Sequence, residues 1–73
     1  MGMYVVVEIQ TTNGVTTQIT TVEQNKDVAE QKYHNILSYA AVSSVEIHSA
    51  VILNPEGQMI KSECYKHEQA GEQ

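Results

Sequence analysis

From Tyr4 to Gln10 the chain reads Tyr-Val-Val-Val-Glu-Ile-Gln, a run dominated by β-branched residues that favours a strand. Thr12-Asn13-Gly14 follows, and Asn-Gly is a strong short-range signal for a hairpin. Val15 to Val22 is again rich in threonine and β-branched residues and reads as the return strand. Loop length decides which side chains share a face, because a one-residue slip turns a whole strand over. A two-residue Asn13-Gly14 turn pairs Glu8 with Ile19, whereas a three-residue turn with Gly14 left-handed pairs Val7 with Ile19 and Ile9 with Thr17. The second register gathers Val5, Val7, Ile9, Val15 and Ile19 on one face, and on that ground it is the expected one.

The period then changes from two to between three and four. Ala29, Tyr33, Ile36, Leu37, Ala40 and Ala41 form one apolar stripe, with Glu30, Lys32 and Asn35 elsewhere on the helix. Asn25 or Asp27 is placed to cap its start, and Asp27-x-x-Glu30 has the spacing of a capping box. The β-branched, serine-rich Val42-Ser43-Ser44-Val45 ends the helix. Val45 to Leu53 reads as a third strand, Asn54-Pro55-Glu56-Gly57 as a type I turn, and Gln58 to Lys66 as a fourth strand. A three-residue loop here pairs Ile52 with Ile60, Ala50 with Ser62 and His48 with Cys64. The predicted fold class is α+β, ββαββ. A four-stranded antiparallel sheet in the order 2-1-3-4 carries one helix on one face, and residues 3–67 form a single domain. The polar segment 68–73 reads as a disordered tail.

One helix covers one sheet face and leaves the other to water or to a partner. The expected registers place Val5, Val7, Ile9, Ile19, Ala50, Ile52, Ile60 and Cys64 under the helix. They leave Tyr4, Val6, Ile47, Val51, Leu53, Met59 and Tyr65 on the far face, interspersed with Glu8, Lys61 and Glu63. A contiguous apolar patch of that kind marks a self-association face. Chain length adds weight to it. With 73 residues, one core supplies only roughly 3–5 kcal/mol, and small domains usually take a disulfide, a metal or a partner subunit as a supplement. A single cysteine, Cys64, cannot form an internal disulfide. A homodimer stacked through the far face is therefore expected, with Glu8, Glu63 and Lys61 pairing at its rim. Edge-to-edge pairing through strand 2 or strand 4 is the competing geometry.

Charge narrows the range of partners. The net charge is −5, the four cations are the lysines Lys26, Lys32, Lys61 and Lys66, and there is no arginine to form a bidentate fork. Neither nucleic acid nor an anionic membrane is an expected partner. No apolar run is long enough to span a bilayer, and the N-terminus lacks a basic region followed by an apolar stretch, so a cytoplasmic location is expected. Met1-Gly2 lacks the Ser or Thr at position 6 that myristoylation requires, since Val6 stands there, and Met3 reads as the natural start.

Candidate chemistry is sparse. Cys64 and His67 make a Cys-x-x-His, and His48 is expected across the sheet from Cys64. A thiol beside an imidazole suits a nucleophile or a pair of metal ligands, so a small metal-binding or thiol-dependent domain using Cys64 with His48 or His67 is the alternative function. Against it, free cysteine is commonly a small buried core residue, and the odd separation of Cys64 and His67 points them to opposite faces of a strand. The tyrosines Tyr4, Tyr33, Tyr39 and Tyr65 read as packing residues with one wet tip, and the threonine-rich hairpin as β propensity on a half-exposed edge. The pattern predicts no catalytic residue, no cofactor and no metal site, and hence a non-enzymatic oligomeric accessory or structural protein.

Four stretches carry a resemblance. Met3–Gln10, Glu30–His34, Ala40–Val51 and Lys61–His67 resemble a group of small uncharacterised proteins of Gram-positive gut bacteria and their prophages. The group carries no established activity, so no residue role transfers. The resemblance implies a phage-related setting, in which small oligomeric accessory proteins are common.

Overall fold

The computed structural model describes residues 2–67. Its elements are β1 (Tyr4–Thr12), β2 (Val15–Glu23), α1 (Lys26–Ala40), β3 (Ile47–Leu53) and β4 (Met59–Lys66). They build one antiparallel sheet in the order β2-β1-β3-β4, with α1 lying chiefly over β3 and β1. The ββαββ architecture and strand order read from the sequence are those observed. The predicted tail, 68–73, lies outside the described residues.

Asn25 caps α1, its side-chain oxygen accepting from the backbone N–H groups of Asp27 and Val28 at 2.8 and 3.2 Å. The apolar stripe packs as its spacing predicts. Ala29, Tyr33 and Ala40 are buried, Ile36 and Leu37 pack against the core, and Ala41 is exposed. Beneath them lie Val6, Ala50 and Ile52, flanked by Tyr4. Among the described residues, half of the six buried apolar ones are alanines, and Ile52 and Val6 are the largest side chains fully out of water. Alanine lets the helix approach the sheet closely, but contributes little transfer energy.

Both hairpin registers differ from those expected. In the first, Thr12 pairs with Val15 and Glu8 with Ile19, which is the two-residue turn. Asn13 and Gly14 both take left-handed backbone, φ 54° and 78°, the signature of a type I′ turn. That geometry matches the twist of the flanking strands, so Asn-Gly closes the hairpin without a third loop residue. The second hairpin begins as predicted. Asn54 accepts from Gly57 N–H at 2.8 Å, Gly57 is left-handed (φ 83°), and Leu53 pairs with Met59. A bulge follows between Ile52 and Leu53, with Ile60 as the extra residue, so Ile52 pairs with Lys61, Ala50 with Glu63 and His48 with Tyr65.

These slips turn β1 and most of β4 over. Val6, expected on the far face, is 1% exposed under the helix, and Tyr4 and Tyr65 share its side. Val5, Val7 and Ile9, expected in the core, point away from α1. Cys64, expected to be buried, is exposed on the far face opposite Ser49. Ile60, also expected under the helix, is 37% exposed in the bulge. Ile19 lies on the helix side, as expected, but opposite Glu8 instead of Val7 and near the uncovered edge, where it is 58% exposed.

Candidate functional site

The sheet face opposite α1 is built by alternation from the observed registers. β1 contributes Val5, Val7, Ile9 and Thr11. β3 contributes Ile47, Ser49, Val51 and Leu53. β2 adds Thr16, Gln18, Thr20 and Val22, and β4 adds Met59, Ser62, Cys64 and Lys66. Of the seven residues predicted for a self-association face, Ile47, Val51, Leu53 and Met59 are here, whereas Tyr4, Val6 and Tyr65 face the helix. Val5, Val7, Ile9 and Val22 take their place. Side by side across the central strands, Val5 pairs with Leu53 and Val7 with Val51. No described element covers this face, and its aliphatics remain partly wet or, as with Val22 at 48%, about half exposed.

The charges segregate. Glu8, Glu23, Lys61 and Glu63 all lie on the helix side of the sheet, where Glu23 pairs with Lys32 and Lys61 with Glu30 at 3.8 Å. The rim pairing of Glu8, Glu63 and Lys61 expected on the far face therefore does not occur. Among the strand residues paired on that face, Lys66, at one corner, carries the one charge. An antiparallel sheet face left to water ordinarily alternates toward polar side chains. Here the face beneath the helix is the more charged of the two.

A second grouping was not anticipated. His48, 4% exposed between α1 and the sheet, lies with Nε2 2.6 Å from Glu8 Oε2 and Nδ1 3.1 Å from the Ser43 hydroxyl. Gln10 Nε2 donates to the same Glu8 oxygen at 2.9 Å. Ser43 in turn accepts from Val45 N–H at 3.3 Å and reaches the Ala40 carbonyl at 3.4 Å. A hydroxyl, an imidazole and a carboxylate in series are the parts of a proton relay. Each atom, however, is already held by structure: the relay ties β1, β3 and the C-terminal end of α1 together. No buried side-chain N or O among the described residues lacks a partner. The sequence signal was available in Glu8-x-Gln10 facing Ser43 and His48, but it needs the two-residue turn to become visible.

The thiol–imidazole grouping is not assembled. Cys64 is on the far face, while His48 is beneath the helix. The His67 ring stacks near that of Tyr65, centroids 6.5 Å apart, and approaches the Ala40 carbonyl at 2.8 Å, on the helix side. The sheet separates the sulfur from both rings, and no cluster of three potential metal ligands occurs among the described residues. An open cleft of about 480 Å³ lies where α1 begins, lined by Gly2, Tyr4, Gln24, Asn25 and Pro55, but the Asn25 side-chain oxygen is committed to the helix cap. No helix of the described residues is long and apolar enough to cross a membrane. Comparison of the chain with protein-family models, curated proteins and solved structures finds no match.

Proposed function

We propose that this protein is a non-enzymatic, self-assembling component, a cytoplasmic accessory or structural protein that works as a homo-oligomer stacked through the sheet face opposite α1. One observation carries the reading: Val5, Val7, Ile9, Ile47, Val51 and Leu53 lie together on the uncovered face, while under the helix the sheet sets Val6, Ala50 and Ile52 among Glu8, Gln10, His48, Lys61 and Glu63. Each large aliphatic removed from water contributes about 1.5–3 kcal/mol, comparable with the whole margin of a domain this small.

The occupant that fits is a second copy. Four strands about 4.8 Å apart and about seven residues long present roughly 450 Å² in plan, so two such faces hide roughly 900 Å², close to the ~1,000 Å² of a specific interface. A two-fold axis lets the patch cover itself, and with one corner charge it opposes no like charges at its centre. The resemblance to small prophage-associated proteins supports a phage-derived setting for such an assembly.

The test is solution mass. Val51→Asp places a carboxylate in the middle of the face on a strand that stays paired. Light scattering is expected to show a lower mass for the folded variant than for the wild type. An unchanged mass refutes the stacked face, and a monomeric wild type at micromolar concentration refutes self-association altogether.

A further inference from the structure

The two edges of the sheet are not alike. β4 has the features by which natural edge strands discourage pairing: a bulge at Ile60 and the charges Lys61, Glu63 and Lys66 along its length. β2 has no bulge, and its single charge, Glu23, sits at its last position. It pairs with β1 through nine consecutive residues without a bulge, contains no proline, and carries no charge from Val15 to Val22. Nearly every residue of it is exposed, with Val15 at 63% and Ile19 at 58%.

We propose that the free edge of β2 is a second assembly surface, pairing antiparallel with β2 of another copy about a two-fold axis at Ile19. The backbone phase of the hairpin permits this. The residues flanking the type I′ turn, Thr12 and Val15, form a hydrogen-bonded pair, and antiparallel ladders alternate. Thr17, Ile19, Thr21 and Glu23 therefore also spend their backbone groups on β1. Thr16, Gln18, Thr20 and Val22 direct theirs outward.

An axis through Ile19 sets Gln18 opposite Thr20 of the other copy and Thr16 opposite Val22. All four outward residues then find outward partners, with about eight new backbone hydrogen bonds. On the intervening positions Ile19 meets Ile19 and Thr17 meets Thr21, both favourable cross-strand pairs. Glu23 falls opposite Val15, so no like charges are set against each other. The self-complementarity of Thr-Thr-Gln-Ile-Thr-Thr about its isoleucine argues for a second copy over an unrelated peptide.

The consequence is an eight-stranded sheet. Because the axis is perpendicular to the sheet, both helices lie on one side and the two bare faces merge into one surface. This surface rests on the edge of β2 and is independent of the stacked face.

Charge swapping on the exposed edge tests it in the full-length protein. Thr17→Lys with Thr21→Lys opposes like charges across the axis on the helix side of the sheet, away from the stacked face, and Thr17→Glu with Thr21→Glu does the same. Each double variant alone is expected to show half the wild-type mass by light scattering. An equimolar mixture of the two is expected to regain the full mass as a one-to-one complex, because every Lys now opposes a Glu. Circular dichroism checks that each variant is folded. In a Val51→Asp background the edge alone holds copies together, so the expected mass is that of two chains. The proposal is overturned if the Lys pair leaves the mass unchanged, if mixing restores nothing, or if folded Val51→Asp protein is a monomer. That last result leaves the stacked face standing; an unchanged mass for Val51→Asp with a charge-swap effect leaves only the edge.

Discussion

His48 shows how much can depend on one side chain. It joins Glu8 on β1 to Ser43 beyond the end of α1, and it is almost wholly out of water. Replacing it with alanine leaves Glu8 and Ser43 without their common partner, which costs roughly 1–3 kcal/mol for the stranded groups alone. Glu8→Gln keeps an acceptor toward the ring and is expected to cost less. Urea unfolding of the three proteins, compared at fixed concentration, checks the order wild type, Glu8→Gln, His48→Ala. Tyr33 gives a second prediction at this scale. Burial raises its phenol above the ordinary value, and the carboxylate of Glu63 adds to the rise. The folded state then holds its proton where the unfolded chain releases it, so this contribution is fully present below the unfolded pKa of about 10 and is lost as pH rises through the folded value. Alkaline unfolding of Tyr33→Phe is expected to be displaced to higher pH than that of the wild type; coincident curves would show that Tyr33 does not govern the alkaline limit.

Among the elements, the turns control the outcome. Gly14 at φ 78° has open space around its Cα, so Gly14→Ala meets no clash and tests backbone conformation alone. A left-handed L-residue costs about 1–2 kcal/mol, and thermal or urea unfolding is expected to show a loss of that order. Asn25→Ala removes the acceptor for two helix N–H groups and is expected to cost about 0.5–2 kcal/mol by the same measurement. These positions were legible in the chain: Asn-Gly, Asn-Pro-Glu-Gly and the cap each announce themselves by residue type. Their consequences for register were not. The three-residue loop gathers Val5, Val7, Ile9, Val15 and Ile19 on one face, which the sequence reading takes as the core. The observed hairpin parts them: Val5, Val7 and Ile9 share the far face with Val22, while Val15 and Ile19 stay on the helix side.

For the whole molecule, the proposed assembly would tie stability to protein concentration. If the stacked face and the β2 edge both close, unfolding releases subunits, and the thermal midpoint is expected to rise with protein concentration in the wild type. A midpoint independent of concentration would count against both surfaces. Cys64 offers a local readout. It is exposed in the single chain, opposite Ser49 on the bare face, so stacking covers it. Alkylation is expected to be slow in the wild type and fast in folded Val51→Asp protein, and equal rates would place the thiol outside any interface.

Residue types and their spacing determined the five elements, their order and the apolar stripe of the helix, because strand propensity, helical periodicity and turn chemistry are local; between Asn25 and Asp27 as the cap, the structure decided for Asn25. Ala50 and Ile52 beneath the helix were also legible, since the residues expected on their face of the second hairpin are mostly small, which suits close helix approach. Tertiary structure decided the parity of β1 and β4. One loop residue in the first hairpin and one bulge residue, Ile60, in the second turned Val6 inward and Cys64 outward, brought Glu8 to His48, and cleared the far face of all but one charge. Side chains alternate with period two, so a single residue decides the face of an entire strand, and nothing local to the strand records which phase it will take.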